Sequence, residues 1–291
     1  MIKEITAKTL LSSAKQPDPW FGIKYTKNLY RGCQHQCIYC DSRSECYQIE
    51  DFDHDVLVKA NALDLLCDEL PRNRVKGTVG TGSMNDPYMP LEAKLNLTGR
   101  ALEIIADHRF PVHVITKSDL VVRDADILAE IGRVYAAVSF TVTAADDDLS
   151  RKLEPAAPPT SKRFAALAAL AGRGIYAGVI MMPILPFIED NAENIAGIVA
   201  QAAAAGASYI MPGFGMTLRD RQRATYYDQL NRLFPGLREQ YETRFGDRYS
   251  AAANDAKKLE RLFAELCARH GIATRMKHFC AAEPVKQLAL F

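Results

Sequence analysis

Apolar positions follow two alternating periods along the chain. Short apolar runs rich in β-branched residues are each followed by an amphipathic run of helical length, and this pattern predicts βα units around a parallel sheet. The predicted strands are 22–30, 75–81, 111–116, 134–141, 175–182 and 207–212, and the predicted helices are 55–70, 91–107, 123–132, 160–172, 190–205, 218–233 and 249–270. The sequence therefore predicts an α/β fold in which six units form a partial (β/α)6 barrel of the TIM type.

The predicted units end near residue 215. We expect residues 1–215 to form the barrel and residues 216–291 to form a helical C-terminal extension and tail packed on it. Residues 144–162 are polar and contain three prolines, so we interpret them as a helix-bearing connection over the mouth of the barrel. In such barrels the chemistry gathers at the carboxyl ends of the strands.

Composition narrows the class of protein. The 291 residues include 36 Lys plus Arg and 35 Asp plus Glu, a formal charge of +1, which excludes a strongly basic nucleic-acid coat but not a local basic groove. No apolar run approaches the ~20 residues of a membrane helix, and the first residues lack the features of a secretory signal. We therefore expect a cytoplasmic protein with reduced thiols and no membrane partner.

Three of the seven cysteines crowd into the segment CQHQCIYC, as Cys33, Cys37 and Cys40. Thiolates in a loop prefer soft metals or iron–sulfur clusters. Structural zinc usually takes four ligands in two pairs, and the nearest fourth candidate is Cys46. A 4Fe–4S cluster normally takes four cysteines, so three would leave one iron open to an outside ligand. The spacing favours the cluster and leaves zinc as the alternative.

The cysteine triplet with Tyr39 before its last member resembles the signature of the radical S-adenosylmethionine (SAM) superfamily. The longer stretch NLYRGCQHQCIYC resembles the spore photoproduct lyase-like branch of that superfamily. The likeness continues through TVGTGSMNDPYMPLE (78–92), VITKSDLVVRD (114–124), VSFTVT (138–143), LEPAAPP (153–159) and MMPILPF (181–187). It covers residues about 25 to 215 and implies the same partial barrel.

This resemblance implies two cofactors. A 4Fe–4S cluster would be bound by Cys33, Cys37 and Cys40, and SAM would bind its open iron. Reductive cleavage of SAM would then yield a 5′-deoxyadenosyl radical that abstracts hydrogen from a substrate, with electrons from a donor such as a flavodoxin or ferredoxin. The candidate SAM contacts are Tyr39 against the adenine, Lys117 for the carboxylate, and Gly82, Ser83, Asn85, Asp86 and Ser139 at other strand ends.

One departure concerns the return of a hydrogen atom to the product. Spore photoproduct lyases carry a cysteine near the end of the second strand, whereas this chain has TVGTGSMND there. Repair of a thymine dimer by that route is therefore doubtful. Cys46, Cys280 and Tyr88 are the candidate catalytic substitutes.

The C-terminal part suggests partners. Arginines 219, 221, 223, 232 and 238 can track a phosphate backbone or form a solvated helix face. The ending QLALF (Gln287–Phe291) resembles the peptide by which bacterial repair enzymes dock on the sliding clamp, and packing on the barrel is the alternative. We expect a radical SAM enzyme for nucleic-acid repair or modification; the alternatives are a peptide or small-molecule substrate, or a non-catalytic metal-binding clamp adaptor.

Overall fold

The computed structural model describes residues 1–49, 51–52, 55–81 and 85–281. The strands are β1 Ile2–Ile5, β2 Leu11–Ser13, β3 Ile23–Lys27, β4 Tyr30–Arg31, β5 Val56–Lys59, β6 Thr78–Thr81, β7 Val112–Thr116, β8 Ala136–Thr141, β9 Tyr176–Met181, β10 Ile210–Pro212, β11 Gly215–Thr217 and β12 Ser250–Ala252. The α-helices are α1 Ala62–Arg72, α2 Glu92–Leu95, α3 Leu97–Asp107, α4 Ala125–Ile131, α5 Asp147–Leu153, α6 Thr160–Ala171, α7 Ala192–Ala204, α8 Asp220–Leu233, α9 Leu237–Phe245 and α10 Ala256–His270. Short 3-10 helices cover Asp41–Arg43, Glu45–Tyr47 and Asp119–Asp124.

The central sheet has the order β10-β9-β8-β7-β6-β3-β2. Six of these strands are parallel neighbours, and β2 pairs antiparallel with β3 at the edge. Every residue of β8 is buried, as expected for a strand of a parallel sheet that is covered on both faces. The predicted α/β class with a parallel central sheet is therefore confirmed.

Two predicted helices begin with strands instead. Residues 56–59 form β5, which pairs with β1 and β4 in a three-stranded sheet, because the β-branched Val56 and Val58 bury alternate positions. Residues 250–252 form β12, which pairs with β11 through the register Gly215↔Ala252. The part of the chain after residue 215 thus contains a small sheet as well as α8, α9 and α10.

The end of the described chain lies against the amino-terminal ends of the central strands. Tyr135, which precedes β8, donates its hydroxyl to the Lys277 carbonyl (2.6 Å), and the Lys277 amide donates to the hydroxyl of Tyr176 in β9 (2.8 Å). Within the described ranges, none of the helices is both long enough and apolar enough to cross a bilayer.

Candidate functional site

A cavity of about 660 Å³ lies at the carboxyl ends of the parallel strands. Its wall is formed by the segment after β4, by the ends of β6 to β10, and by the β11–β12 ribbon. The polar and ionisable residues among its described lining are Cys33, His35, Cys37, Tyr39, Cys40, Asp41, Ser42, Asn85, Asp86, Thr116, Lys117, Thr141, Thr217 and Ser250. This volume is typical of pockets that enclose a small molecule, about 300–1,000 Å³.

The thiols of Cys33, Cys37 and Cys40 all line this cavity, and none is in a disulfide. Burial raises the pKa of Cys33 to about 12, and it also raises the pKa of Cys37 and Cys40 above the ordinary thiol value. The thiols therefore keep their protons at neutral pH until a metal displaces them.

The chemistry of the three thiols suits a soft metal or an iron–sulfur cluster. In the described part of the chain, no three Cys, His, Asp or Glu side chains converge as ligands of one metal ion. In a 4Fe–4S cluster each thiolate binds a different iron, so Cys33, Cys37 and Cys40 are the residues that would hold such a cluster.

Gly32 turns the chain into the cysteine segment. Its φ is +88°, and a Cβ built on it would lie 2.2 Å from the carbonyl oxygen of Asp55. Both the left-handed conformation and the close approach of β5 exclude a side chain. This glycine therefore sets the direction in which Cys33 enters the cavity.

Main-chain hydrogen bonds hold the cysteine segment on the side of α5. The Ile38 amide donates to the Leu153 carbonyl (2.9 Å), and the Ala156 amide donates to the His35 carbonyl (3.2 Å). The buried His35 ring reaches back, with Nδ1 3.3 Å from the Ala156 oxygen. The cysteine segment is thus fixed to a connection more than a hundred residues away in sequence.

The first turn of α8 holds the same segment from another side. Gln222 donates from Nε2 to the Tyr39 carbonyl (3.1 Å). Arg221 donates from its guanidinium to the carbonyls of Arg43 (2.9 Å) and Ile49 (2.7 Å). The C-terminal region therefore completes the support of the cysteine loop.

Asn85 presents an unsatisfied acceptor at the cavity wall. Its Nδ2 donates to the Asp86 carbonyl (3.2 Å), whereas its Oδ1 is buried and has no hydrogen-bond partner among the described residues. A buried acceptor without a partner costs free energy. A hydrogen bond donated by the amine of a bound ligand would satisfy Asn85 Oδ1.

The Asp86 carboxylate is instead saturated by the protein. It accepts from the Thr116 hydroxyl (2.6 Å), the Lys117 amide (2.6 Å) and the Tyr88 amide (2.8 Å), and His35 Nε2 lies 3.2 Å away. Burial alone would raise its pKa, but His35 and these donors lower it to about 2. Asp86 therefore braces the cavity wall, and the predicted contact of Asp86 with SAM stays a prediction.

Lys117 brings an ammonium group to the cavity, and no other lysine or arginine is among the described lining residues. Its Nζ lies 3.9 Å from Glu154 Oε1 and 5.8 Å from the centre of the Tyr39 ring. Burial would lower its pKa, but Cys37 and Glu154 raise it above the ordinary lysine value. Lys117 is thus a fixed positive charge facing the thiols.

Tyr39 lines the cavity with its ring while its hydroxyl is buried. The hydroxyl donates to Glu154 Oε1, and the other oxygen of Glu154 forms an ion pair with Arg163. Arg163 is fully buried and donates to the Thr141 carbonyl (2.9 Å). Only the ring of Tyr39 is therefore available to contact a ligand. The predicted contact of this ring with an adenine stays a prediction.

Ser139 lies deeper than predicted. Its hydroxyl is fully buried, 2.6 Å from the Tyr209 hydroxyl and 2.7 Å from His113 Nε2. It is not a lining residue, whereas Thr141, two residues further along β8, is one. Alternate residues share a face of the strand, so Thr141 brings that face to the cavity, and the predicted SAM contact of Ser139 stays a prediction.

The three proposed catalytic substitutes lie outside the cavity wall. Tyr88 is fully buried and donates to Asp124 Oδ2 (2.9 Å). Cys46 is exposed beside Arg219, with Sγ 3.7 Å from a guanidinium nitrogen. Cys280 is exposed and follows Phe279, which packs on Tyr135 at the opposite end of the sheet. These placements keep all three side chains away from the cavity wall, and their predicted catalytic roles stay predictions.

Some predictions cannot be placed. Gly82, Ser83 and the peptide Gln287–Phe291 lie outside the described residues, so the predicted SAM contacts at 82–83 and the predicted clamp peptide stay predictions.

The arginines of the C-terminal region mostly bind the protein itself. Arg223 donates to the carbonyls of Gly246 (2.8 Å) and Arg248 (2.6 Å), and Arg219 lies 3.4 Å from Asp41. Arg232 and Arg238 bond to neighbours on the surface of α8 and α9. This geometry favours a structural role for the cluster over a phosphate-tracking face.

The sequence analysis does not predict the positions of Glu154 and Arg163 beside the cysteine segment. The available signal in LEPAAPP (153–159) is a charged residue between a leucine and prolines. The partner of Glu154 on the cysteine segment is 115 residues away, which no local pattern reveals.

A family model describing the radical SAM superfamily matches residues 27–198. This range covers more than half of the chain and contains the cysteine segment, Lys117 and Glu154. The chain therefore belongs to the radical SAM superfamily, whose domain implies SAM and an iron–sulfur cluster as cofactors.

Relatives in other organisms are described as uncharacterised proteins. One from Mycobacterium tuberculosis is 32% identical over 226 residues, which are 75% of this chain and 66% of the relative. One from Methanocaldococcus jannaschii is 34% identical over 191 residues, 65% of this chain and 70% of the relative. The chain thus spans slightly less than two thirds of the length of the mycobacterial relative.

Solved structures share the fold at lower identity. Spore photoproduct lyase complexed with dinucleoside spore photoproduct matches with a TM-score of 0.70 and 18% identity, over 92% of this chain and 79% of that chain. The radical SAM methyltransferase TsrM from Kitasatospora setae matches with a TM-score of 0.55 and 13% identity, over 84% of this chain and 51% of that chain. At these identities the likeness establishes the fold alone.

Proposed function

We propose that this chain is a radical SAM enzyme that binds a 4Fe–4S cluster through Cys33, Cys37 and Cys40 and cleaves SAM reductively. The observation that carries the proposal is one cavity in which the thiols of Cys33, Cys37 and Cys40 share the wall with the Lys117 ammonium and the unsatisfied Asn85 Oδ1. Bound there, the cluster and SAM would supply a 5′-deoxyadenosyl radical for hydrogen abstraction.

Within this proposal the protein supplies binding and orientation. Lys117 would pair with a ligand carboxylate, and Asn85 Oδ1 would accept a hydrogen bond from a ligand amine. The ring of Tyr39 would pack against an adenine. Apolar lining residues such as Ile115, Ile180 and Phe214 would exclude water and other hydrogen donors from the reacting atoms.

We further propose the architecture and partners that fit this activity. Residues 1–215 would form the partial six-stranded barrel, and residues 216–291 the extension that braces the cysteine loop. An electron donor such as a flavodoxin or ferredoxin would reduce the cluster. A nucleic-acid substrate is supported by the fold shared with a lyase whose structure holds a dinucleoside photoproduct.

The decisive experiment is anaerobic. The cluster is reconstituted, SAM and dithionite are added, and 5′-deoxyadenosine is measured for the wild type, Cys37→Ala and Cys46→Ala. Formation of the product by the wild type and by Cys46→Ala, together with its loss in Cys37→Ala, supports the proposal. A brown, iron-loaded protein that neither binds nor cleaves SAM contradicts it.

The substrate part is tested separately. Ultraviolet-irradiated and untreated oligonucleotides are added to the same assay. We expect the irradiated nucleic acid to raise the yield of 5′-deoxyadenosine. If no nucleic acid changes the yield, the nucleic-acid assignment fails while the cleavage of SAM stands.

A further inference from the structure

Glu154 occupies an unusual position for a charged residue. It follows α5 directly, and its side chain is only 1% exposed. A buried carboxylate requires compensation by opposite charges and hydrogen-bond donors. Arg163, itself fully buried, supplies the opposite charge, and the Tyr39 hydroxyl supplies a donor.

The contacts of Glu154 join two parts of the cavity wall. Its Oε1 accepts from Tyr39, which lies between two of the cysteines, and the same oxygen is 3.9 Å from the ammonium of Lys117. Arg163 is anchored in turn by the carbonyls of Thr141 (2.9 Å) and Pro158 (2.7 Å). One rigidly held carboxylate therefore contacts the cysteine segment and the cavity's ammonium at once.

We propose that Glu154 is a positioning residue: it holds Lys117 and Tyr39 in a fixed relation to the three thiols and thereby orients the amino-acid end of bound SAM. The inference rests on the proposed function and deepens it. Glu154 does not line the cavity, so it acts through Lys117 and Tyr39 and not by touching the ligand.

The direction of the effect follows from the charges. Without the carboxylate, Arg163 would repel Lys117 across the interior, and the ammonium would lose its fixed place. Free SAM carries a positive sulfonium, a positive ammonium and a negative carboxylate, so a change in the net charge of the protein would itself alter affinity. Removing Glu154 and Arg163 together leaves that net charge unchanged, and the orientation of Lys117 toward the SAM carboxylate then decides affinity. We expect removal of Glu154 to weaken SAM binding.

The test uses a variant that leaves no buried charge unpaired. Glu154→Gln combined with Arg163→Met removes both members of the ion pair, because removing one member alone can unfold the site. The matched control is Glu189→Gln. Glu189 is also fully buried and accepts from the Leu185 amide (3.0 Å), but burial raises its pKa to about 8, so glutamine closely mimics its neutral form.

The reconstituted proteins are compared by iron content, by SAM affinity and by the change in the cluster's electron paramagnetic resonance spectrum on adding SAM. The double variant should keep the iron content of the wild type, because the thiols are unchanged. It should bind SAM about tenfold more weakly, because the loss corresponds to one well-oriented charge-assisted hydrogen bond. Its electron paramagnetic resonance spectrum with SAM should differ from that of the wild type. Glu189→Gln should match the wild type in all three.

A thermodynamic cycle separates positioning from general structural support. In a Lys117→Met background, the Glu154 and Arg163 changes should weaken SAM binding little further, because their effect passes largely through Lys117. Equal losses in both backgrounds, or an unchanged affinity and spectrum in the double variant, would overturn the inference. If the wild type itself binds no SAM, the proposed function fails and the inference falls with it.

Discussion

The two ends of the central sheet each carry a cavity, and the two cavities are built differently. The one at the carboxyl ends measures about 660 Å³ and the one at the amino ends about 560 Å³. The first contains three thiols, a held ammonium and a buried acceptor. The second is lined by the exposed side chains of Arg133, Arg173, Lys277 and His278, with no cysteine or carboxylate among its described lining residues.

The charges at the two ends are compensated in different ways. At the amino end, Arg173 pairs with Asp126, and the two side chains are 50% and 88% exposed, so water already solvates both. At the carboxyl end, Arg163 and Glu154 are 0% and 1% exposed, so each depends on its partner. Cations at the ends of helices are also expected from the helix dipole alone. The two cavities are similar in volume, so the groups that line them, and not their size, distinguish the proposed site.

The largest expected difference between the two ends concerns iron. Cys37→Ala should lose most of the roughly four irons of a reconstituted cluster, because two remaining thiolates cannot hold it. Cys280→Ala, at the opposite end, should keep the full iron content. Iron and labile sulfide analysis measures both, and an iron-loaded Cys37→Ala protein would remove the cysteine triplet as the cluster site.

Two glycines, one near each end of the sheet, are expected to differ in how much an alanine substitution lowers the free energy of unfolding. Gly32 and Gly174 both have left-handed φ, +88° and +75°, but a Cβ on Gly32 would overlap Asp55, whereas Gly174 has nothing within 4 Å. Gly174→Ala should cost about 1–2 kcal/mol from strain alone. Gly32→Ala should cost about 3 kcal/mol or more, from strain plus overlap.

Urea unfolding under anaerobic conditions measures both glycine variants, with iron content as a second readout. Equal stability losses would mean that β5 moves away from Gly32 easily, and that this turn does not direct the cysteine segment.

A smaller difference in unfolding free energy is expected between the alanine variants of two arginines, Arg221 and Arg173. Arg221→Ala removes donors to the carbonyls of Arg43 and Ile49 and should cost about 1–3 kcal/mol, with faster loss of the cluster in air. Arg173→Ala removes an exposed ion pair and should cost about 0–1 kcal/mol. Unfolding curves and the decay of cluster absorbance compare them, and an air-stable cluster in Arg221→Ala would contradict the bracing role of α8.

The smallest expected effect concerns Asn85. Asn85→Ala should weaken SAM binding by about tenfold, because the ligand amine loses its acceptor, without loss of iron. Lys277→Ala, in the other cavity, should bind SAM like the wild type. Calorimetric titration gives both affinities. An unchanged affinity in Asn85→Ala would mean that Asn85 Oδ1 does not bind the SAM amine.

Predictions from the sequence succeeded where the relevant information is local. The alternation of short apolar runs and amphipathic runs predicts β7, α6 and α7 close to their observed bounds, because each period reflects contacts along one element. The spacing of Cys33, Cys37 and Cys40 likewise places three thiols in one loop. The prediction was wrong for the first residues of two helices, which form β5 and β12 instead. These strands depend on partner strands far away in sequence.

By itself the sequence determined the α/β class, the position of the cysteine loop after an early strand, and the family to which the chain belongs. Only the tertiary structure decided which polar residues reach the cavity. The register along β8 places Thr141, but not Ser139, at the cavity wall, and chain segments 115 and 183 positions from Tyr39 meet at that residue. The physical reason is the sequence separation over which each kind of interaction acts. Helical and strand periods act over a few residues, whereas burial of a charge such as Glu154 is settled only when distant segments pack around it and exclude water.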